Sequence, residues 1–293
     1  MMRIKALVTG ANGMLADALL PLLKKRGYDI IATDIIGETN NMVKLDIRDQ
    51  KATVDLIVSH NPDIVFHLAA ETDVDKCELN QEHAFLTNFQ GTEHVILGCK
   101  KLDVPLAYIS TGAVFNGEKF EGYTEFDKPN PISAYGKSKL KGEEIVASLL
   151  RKYFIVSAGW MIGGYHKDKK FVWKITQLLK TKKEISVVTD KMGSPTFTKD
   201  FAFGLLKIIS EGKYGIYHCV NKGICSRFDI AKKIKEYLNK DDVVLIPVTS
   251  AAFPLPAPRG KSEAMLNYKL SQLGIDCMPP WQESLKCYVT EVQ

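Results

Sequence analysis

The sequence lacks several features that would assign it to a special class of protein. No stretch of 18 or more apolar residues occurs, so no ordinary transmembrane helix is expected. The basic residues form only short clusters, at 24–26 and 167–170, which argues against a nucleic-acid partner. The six cysteines form neither a Cys-x-x-Cys pair nor a metal-ligand spacing with histidine. We therefore expect reduced thiols and no bound metal.

No secretion signal is expected, because the first predicted strand begins at about residue 3. Together with reduced cysteines, this predicts a cytoplasmic protein with no membrane partner. The composition is that of an ordinary globular chain, with 293 residues, 45% hydrophobic and 25% charged, and a net charge of +5. The length suffices for a large domain with a smaller one, and the mild positive charge suits a small anionic substrate.

A glycine-rich turn near the N-terminus predicts a nucleotide-binding site. Residues 3–9 are rich in strand formers, and the segment Gly10-Ala-Asn-Gly13-Met-Leu-Ala16 leads from them into a helical pattern that ends at Gly27. In such a strand–turn–helix unit the glycines let the backbone approach a pyrophosphate, while the small Ala16 allows helix and strand to pack closely. The helix N-terminus offers free N–H groups to the anion.

An aspartate follows this turn at the distance expected for a ribose ligand. Asp34 comes directly after the second predicted strand, residues 29–33, about 20 residues beyond the glycine turn. A carboxylate at this point accepts hydrogen bonds from a ribose 2′-OH and repels a 2′-phosphate. The sequence therefore favours NAD(H) as the cofactor and leaves NADP(H) open.

Strands and helices alternate through the first half of the chain. Further strands are predicted at residues 42–45, 63–68, 105–110 and 154–158, and helices at 49–60, 80–102 and 133–152. This alternation predicts an α/β fold with a doubly wound parallel sheet, a Rossmann domain, over residues 1–158. Such sheets bind ligands at the carboxyl ends of their strands, where we expect Gly10, Asp34, Ala69, Ala70 and Thr111 to meet.

The second half of the chain is less regular and predicts a smaller α/β substrate domain over residues 159–293. Its helices are predicted at 171–180, 199–211, 226–239 and 282–289, and its strands at 185–188, 217–220 and 243–246. Part of residues 185–218 is expected to fold back onto the Rossmann domain. Residues 247–258 are rich in proline and are predicted to form a loop.

A tyrosine and a lysine four residues apart form a candidate catalytic pair. Tyr135 and Lys139 fall in the predicted helix at 133–152, which Ser133 caps, so both side chains leave the same face. A tyrosine phenol titrates near 10 in water, and a neighbouring ammonium is expected to lower its pKa. Spacing alone is weak evidence, but beside a nucleotide site the pair predicts proton transfer to an alcohol or a ketone.

Further motifs follow one another in order along nearly the whole chain. They are Gly10-x-x-Gly13-x-x-Ala16, Ala69-Ala70 with Thr72-x-Val74-Asp75-Lys76, Asn88-x-x-Gly91-Thr92, Ser110-Thr111, Tyr135-x-x-x-Lys139, Gly-Ser-Pro-Thr-Phe-Thr-Lys-Asp at 193–200, Gly-Ile-Tyr-His at 215–218 and Pro258-Arg259. Together they resemble the extended short-chain dehydrogenases/reductases, and within them the dTDP-4-dehydrorhamnose reductase family. The resemblance implies NADH-dependent reduction of the C4 ketone of a nucleotide-linked 4-keto-6-deoxyhexose, in deoxysugar or cell-surface polysaccharide biosynthesis.

The resemblance also implies a role for individual residues. Thr111 would bind the substrate carbonyl, Tyr135 would donate the proton, and Lys139 would bind the nicotinamide ribose and lower the pKa of the tyrosine. Besides Tyr135 and Lys139, the implied cofactor-binding residues are Gly10, Asn12, Gly13, Met14 and Leu15 at the pyrophosphate, Asp34 at the adenosine ribose, Asp46 and Ile47 at the adenine, and Ala69 and Ala70 on the nicotinamide side. The implied substrate contacts are Thr72, Val74, Gly112, Ala113, Trp160, Pro195, Thr196 and Arg259, of which the arginine suits a diphosphate.

Three residues depart from the family pattern near the expected sugar site. Gly112 and Ala113 stand where the family commonly has an acid and an aromatic residue, and their small size is expected to open space. Glu71 stands where a neutral residue is usual, and its carboxylate is expected to bind a sugar hydroxyl or amino group. The identities of the sugar and of the nucleotide therefore stay open.

Two other functions are compatible with the same residues. A nucleotide-sugar 4-epimerase would use the same threonine, tyrosine and lysine, and a non-catalytic regulatory subunit of this fold would also resemble the chain. A 4,6-dehydratase is disfavoured, because it needs an acid/base pair directly after Thr111, where this chain has Gly112-Ala113. The expected partner is a nucleotide-diphosphate sugar, and the expected assembly is a monomer or a homodimer.

Overall fold

Seven parallel strands form the central sheet of the protein, in a computed structural model that describes residues 3–37, 42–168 and 170–292. In chain order the strands are β1 Lys5–Thr9, β2 Asp29–Asp34, β3 Val43–Lys44, β4 Ile64–His67, β5 Leu106–Thr111, β6 Tyr153–Ala158, β7 Trp160–Ile162, β8 Glu184–Val188, β9 Met192–Gly193, β10 Pro195–Phe197, β11 Gly215–His218, β12 Cys225–Ser226, β13 Val244–Val248 and β14 Ser262–Glu263. The order across the central sheet is β3-β2-β1-β4-β5-β6-β11. The predicted doubly wound parallel sheet is confirmed.

Helices cover both faces of this sheet. In chain order they are α1 Met14–Lys25, α2 Gln50–His60, α3 Val74–Leu79, α4 Gln81–Phe85, α5 Gly91–Leu102, α6 Ala134–Leu149, α7 Phe171–Thr181, α8 Thr198–Ser210, α9 Arg227–Tyr237, α10 Tyr268–Gln272 and α11 Trp281–Val292. Leu19 of α1 and Phe201 of α8 pack on one face, and Ile57 of α2, Val95 of α5 and Val146 of α6 on the other. Burial of each such side chain stabilises the fold by roughly 1.5–3 kcal/mol. This packing holds the helices against the sheet and keeps the strand ends in register. No helix in the described part of the chain is long and apolar enough to cross a membrane.

The strand order reverses between β1 and β4, and this reversal opens a crevice at the carboxyl edge of the sheet. Thr9, the last residue of β1, pairs in register with Thr33 on one side and with His67 on the other. The chain beyond β1 and β4 therefore diverges toward opposite sides of the crevice. In open α/β sheets this switch point is where ligands bind.

The predicted helix at 80–102 contains an irregular segment. α4 and α5 are joined by a π-helical turn, Leu86–Gln90, which holds Asn88. The buried Asn88 amide donates to Glu71 O and to Ser138 Oγ, each at 3.0 Å, and its oxygen accepts from Glu71 N at 2.8 Å. π turns are frequent at functional sites. This one ties the segment after β4 to α6, where the candidate catalytic pair lies.

The second half of the chain adds smaller sheets and a core of its own. β7 pairs with β10, β9 lies between β12 and β14, and β8 pairs with β13. Val172 of α7, Ile230 of α9 and Leu285 of α11 belong to the apolar cluster of this half. β11 returns to the central sheet and pairs with β6. The division into domains at residue 158 stays a prediction.

Part of the predicted loop at 247–258 is a strand. β13 extends to Val248 and includes Pro247. In the described structure β13 pairs on one side only, with β8, and a proline is tolerated in such an edge strand because its missing N–H faces away from the ladder. The strand predicted at 217–220 begins and ends earlier, as Gly215–His218.

Candidate active site

The glycine turn closes the end of β1 against the segment after β4. Gly10 has φ +69°, and a Cβ on it would lie 2.6 Å from Ala69 N, so a side chain would collide with the backbone. Gly13 N donates to Gly10 O at 3.1 Å, and Gly13 caps α1 without a side chain to occupy the first amides. The turn is therefore a backbone cradle that fits a pyrophosphate at a helix N-terminus.

The other residues predicted to bind the pyrophosphate differ in burial. Asn12 and Met14 are half-buried, whereas the Leu15 side chain packs into the core. Leu15 can therefore meet a ligand only through its backbone. The sequence places Lys167 in the short basic cluster at 167–170 and gives it no role in the site. In the structure its Nζ lies 3.1 Å from Asn12 O and 2.7 Å from Asp17 Oδ1. It brings a positive charge to the glycine turn from the second half of the chain.

Asp34 lies at the end of β2, beside the glycine turn, as predicted. Its Oδ2 accepts from Asn12 N at 3.0 Å, and its Oδ1 accepts from Ile36 N at 3.1 Å. The residue is 9% exposed, so most of the carboxylate is committed to shaping the turn. A contact between Asp34 and a ribose stays a prediction.

The two residues predicted at the adenine face in different directions. Arg48 Nε donates a hydrogen bond to Asp46 Oδ1 at 2.9 Å, and this bond lowers the pKa of Asp46. The Ile47 side chain is 5% exposed and packs in the core, where a Cβ on Gly91 would lie 2.7 Å from its Cδ1. The Ile47 side chain is therefore not available to an adenine, and only its backbone could line such a site.

A buried histidine supports the alanines that follow β4. His67 Nδ1 lies 2.7 Å from Thr9 Oγ1, and the same oxygen accepts from Ala69 N at 3.3 Å. Burial lowers the pKa of His67 to about 3, with the charge of Lys139 as a smaller cause, so the ring is neutral at neutral pH. Ala69 and Ala70 are half-buried at this edge of the sheet.

The candidate catalytic pair lies in the first turns of α6. The predicted cap is confirmed, because Ser133 Oγ accepts from Gly136 N at 3.1 Å. Tyr135 stands in the first turn, and Lys139 stands one turn later on the same face. Thr111, the last residue of β5, lies close enough to Tyr135 for its side chain to lower the pKa of the phenol. The three residues predicted to be catalytic therefore lie near one another at the carboxyl edge of the sheet.

The expected lowering of the tyrosine pKa by Lys139 is wrong for the free protein. Burial raises the pKa of Tyr135 well above its ordinary value, and the Thr111 side chain lowers it by less. The residue is half-buried, and desolvation penalises the phenolate more than the neighbouring groups stabilise it. Tyr135 is therefore protonated at neutral pH.

Lys139 is buried beneath β5 and is only 3% exposed. Its Nζ lies 4.0 Å from the centre of the Tyr108 ring, and the Tyr108 hydroxyl donates to Lys139 O at 3.2 Å. Gly142 makes room for this ring, since a Cβ there would lie 2.2 Å from the hydroxyl oxygen. Burial lowers the pKa of Lys139 to about 7, while the charge of Glu143 opposes the shift.

Sequence reasoning missed Glu143, a buried carboxylate one turn beyond Lys139. It is 7% exposed, and Ser110 Oγ donates a short hydrogen bond to its Oε1. Burial raises the pKa of Glu143 to about 7, whereas Ser110 and Lys139 lower it. The signal was available in the spacing, because Tyr135, Lys139 and Glu143 stand on successive turns of one helix.

The space expected beside Gly112 is filled. A Cβ on Gly112 would lie 3.2 Å from Glu263 O and 3.2 Å from Met265 Cε. The prediction that this residue opens room for a sugar is therefore wrong, because the small residue admits the β14 segment instead. Ala113 is half-buried, and its N donates to Thr111 Oγ1 at 3.2 Å.

Glu71 is engaged within the protein. Its Oε2 accepts from Lys76 Nζ at 2.5 Å and lies 3.2 Å from His83 Nε2, and its Oε1 accepts from Asp73 N at 3.1 Å. The side chain is 15% exposed, so a sugar contact would have to displace these partners. Within the described ranges, neither this cluster nor any other group of three His, Cys, Asp or Glu could hold a metal ion.

Arg259 binds a carboxylate of α3. Its two terminal nitrogens donate to the two oxygens of Asp75 at 2.8 Å each, and Asp75 Oδ1 also accepts from Ala257 N at 3.0 Å. The Arg259 hydrogen bond holds the pKa of Asp75 below its ordinary value. Thr72 is exposed and Val74 half-buried on the segment leading into α3. A diphosphate would meet an arginine that already has a bidentate partner.

Trp160 is held from two sides. Its Nε1 donates to Glu263 Oε2 at 2.9 Å, and the guanidinium carbon of Arg227 lies 3.6 Å from its ring centre. Arg227 is the first residue of α9 and was not singled out from the sequence. Cation–π stacking of this kind suits an arginine in a partly desolvated cleft.

The side chain of Thr196, a predicted substrate contact, is engaged within the protein. It is fully buried, and its Oγ1 accepts from Gly159 N at 3.0 Å. Pro195 is buried beside it and pairs with Trp160 in the β7–β10 ladder. Both residues therefore position the strand that carries Trp160, and neither side chain faces an open cleft.

Comparison with known proteins places these features in a family. Residues 2–293 match the family model described as RmlD substrate binding domain. The spore coat polysaccharide biosynthesis protein SpsK of Bacillus subtilis is 36% identical, over 98% of this chain and 97% of that protein.

Two solved structures are also similar to this chain. A dTDP-4-dehydrorhamnose reductase from Clostridium acetobutylicum has a TM-score of 0.93 at 39% identity, covering 99% of this chain and 100% of that one. The Bacillus anthracis dTDP-4-dehydrorhamnose reductase, solved in complex with NADP, has a TM-score of 0.92 at 37% identity, with the same coverage. The chain therefore belongs to the RmlD substrate binding domain family, and it is an oxidoreductase of the extended short-chain dehydrogenase/reductase type.

Proposed function

We propose that this protein uses a reduced nicotinamide cofactor to reduce the C4 ketone of a nucleotide-linked 4-keto-6-deoxyhexose, in deoxysugar or cell-surface polysaccharide biosynthesis. The observation that carries the proposal is the proximity of Tyr135 to Thr111, one turn from Lys139 and at the same sheet edge as the Gly10 turn. The names of the similar reductases support this choice of substrate class.

The glycine turn would hold the cofactor. Gly10 and Gly13 would meet its diphosphate through their backbone, with the N-terminus of α1 behind them. When bound, the nicotinamide supplies a hydride to the ketone carbon. Ala69 and Ala70, which are small and half-buried, would leave room on the nicotinamide side.

The protein supplies the proton and stabilises the charge. Reduction of a ketone leaves negative charge on its oxygen, and Tyr135 is protonated at neutral pH and can donate its proton there. The Thr111 hydroxyl would donate a hydrogen bond to the same oxygen. As Tyr135 gives up its proton, the Lys139 ammonium would stabilise the phenolate.

The nucleotide sugar would bind on the side of the second half of the chain. Arg227, which stacks on the Trp160 ring there, brings a positive charge that suits a nucleoside diphosphate. Location in the cytoplasm and assembly as a monomer or a homodimer belong to the same proposal.

A panel assay tests the reaction. The protein is mixed with NADH or NADPH and with nucleotide-linked 4-keto-6-deoxyhexoses that differ in base and stereochemistry, and nicotinamide absorbance is followed. We expect oxidation of the cofactor with at least one member. No oxidation with any member would contradict the proposal. Cofactor that copurifies in stoichiometric amount and is not consumed would favour the epimerase alternative instead.

Replacement of the proton donor gives a sharper test. Tyr135→Phe should lower kcat at least about 100-fold, because the acid is lost while the fold is kept. The dissociation constant for NADPH, measured by fluorescence, should change little. The matched control is Tyr214→Phe, which alters a tyrosine that is 45% exposed and distant from the site. Full activity in Tyr135→Phe would support the non-catalytic alternative.

Preference between the two cofactors is tested at Asp34. We propose that NADH is preferred, since the carboxylate repels a 2′-phosphate, although the Bacillus anthracis relative binds NADP. Asp34→Asn removes the charge and keeps one oxygen acceptor, so the NADH-to-NADPH ratio of kcat/KM should fall about tenfold, or 1.4 kcal/mol. Asp29→Asn, at the other end of β2, is the control. A parent enzyme that already prefers NADPH would contradict this reading of Asp34.

A further inference from the structure

Two buried side chains of opposite charge stand one turn apart in α6. Lys139 is 3% exposed and Glu143 is 7% exposed. Side chains four residues apart on a helix leave the same face. Here that face is covered by the central sheet, so neither charge is screened by water. An uncompensated ammonium at such a depth is strongly disfavoured.

Alternate residues of β5 cover this pair from the sheet side. Tyr108 places its ring 4.0 Å from Lys139 Nζ and donates its hydroxyl hydrogen to Lys139 O. Two residues further along the strand, on the same face, Ser110 donates to Glu143 Oε1. The next residue, Thr111, belongs to the candidate catalytic set. Glu143 is thus anchored to the strand that carries the catalytic threonine.

Only one nearby group can compensate the lysine charge. His67 faces Lys139 from β4 and is neutral, and Tyr108 and Tyr135 are protonated phenols with raised pKa values. Within the described residues, Glu143 is the one carboxylate whose charge acts on Lys139.

The groups around Glu143 are also consistent with its role as the partner of Lys139. Besides Lys139, the groups that act on it are the Ser110 hydroxyl, which favours the carboxylate, and the more exposed Glu144, which weakly opposes it. Glu144 itself is paired with Lys141 at 2.7 Å.

We propose that Glu143, anchored by Ser110, is a positioning residue that favours the protonated form of Lys139. It acts through Lys139 and has no direct contact with the reacting atoms. The proposal rests on the proposed function, because Lys139 matters to cofactor binding and proton transfer only if the site is catalytic. The effect of Glu143 on Lys139 can nevertheless be tested independently of the reaction, because the protonation of Lys139 is measurable in the protein alone.

The direct test is the titration of Lys139. Carbon-13 labelling of lysine side chains gives a Cε signal that moves when the ammonium loses its proton, and Lys139→Arg identifies the signal by its disappearance. In the parent protein we expect a midpoint well below that of exposed lysines. Glu143→Gln, which keeps the shape and removes the charge, should lower the midpoint by about one pH unit or more. An unchanged midpoint would overturn the proposal.

The consequence for the cofactor is tested by pH dependence. The dissociation constant of NADPH is measured by fluorescence from the mildly acidic to the alkaline range. The pH above which binding weakens should fall by about one unit in Glu143→Gln, which corresponds to up to roughly tenfold weaker binding above the midpoint of the parent protein. Glu143→Asp should restore part of the shift. Glu144→Gln, the exposed neighbour on the same helix, should leave the profile unchanged, and an equal shift in that control would overturn the proposal.

Ser110→Ala keeps the proposal testable if Glu143→Gln does not fold. Losing the hydroxyl removes a hydrogen bond that favours the carboxylate, so Glu143 should hold a proton at higher pH and support Lys139 less. A downward shift of the Lys139 midpoint supports the proposal, and no shift in this variant overturns it. If no sugar in the panel is reduced, the proposed function fails, while the lysine titration still decides the role of Glu143.

Discussion

At the scale of single residues, Gly10 shows how backbone geometry dictates side-chain type. Ala at this position must adopt φ +69° and place Cβ 2.6 Å from Ala69 N. We expect Gly10→Ala to lower the free energy of unfolding by more than about 2 kcal/mol, measured in urea, and to abolish NADPH binding. Gly27→Ala is the control, because Gly27 has φ +80° with open space around it and should cost only about 1 kcal/mol without affecting binding. Equal losses in the two variants would contradict the collision with Ala69.

The sequence predicted which residues lie near the site more reliably than it predicted which groups those residues contact. The roles of Thr111 and Tyr135 were predicted from the motifs of the family that the chain resembles, and the two side chains lie close together. Arg259 was expected to meet a diphosphate, but it binds Asp75, which lies 184 residues away. Glu71 was expected to meet a sugar, but it binds Lys76. An ion pair depends on which segments the fold brings together, and this information is not local.

At the scale of elements, the cap of α6 links stability to the catalytic tyrosine. Ser133→Ala removes the bond to Gly136 N, and we expect it to lower the free energy of unfolding by about 1 kcal/mol and kcat several-fold, because Tyr135 stands in the first turn. Asp49 caps α2 by accepting from Ala52 N at 2.9 Å, so Asp49→Ala should cost a similar free energy without changing kcat. Urea unfolding and steady-state kinetics measure both. A parallel loss of kcat in the control would contradict the local role of the α6 cap.

Long helices and buried strands were predictable, and short elements were not. The helix at 133–152 was predicted from its cap and periodicity and is observed as Ala134–Leu149. β9, β12 and β14 contain two residues each, too few to show a period in sequence. The π turn at Leu86–Gln90 was hidden inside a helical pattern, because the bonds of Asn88 to distant segments stabilise it.

At the scale of the whole molecule, the pair Asp75–Arg259 connects α3 with the loop before β14. Both side chains are somewhat more than a quarter exposed, so screening limits the gain. A double-mutant cycle with Asp75→Asn and Arg259→Gln should give a coupling free energy of about 1 kcal/mol in urea unfolding. The pair Lys152–Asp103, with 40% and 83% of the side chains exposed, is the control and should give less than about 0.5 kcal/mol. Equal coupling in the two cycles would contradict a role for the bidentate bridge.

The sequence by itself determined the fold class, the glycine turn and the spacing of Tyr135 and Lys139, and the family motifs added the role of Thr111. The first three depend on local spacing and on the alternation of strands and helices, which a single chain displays. The tertiary structure alone decided that Met265 fills the space beside Gly112 and that Glu143 lies buried beside Lys139. It also decided that burial raises the pKa of Tyr135. Desolvation and ion pairing depend on what surrounds a group from every direction, and distant segments supply those surroundings only when the chain folds.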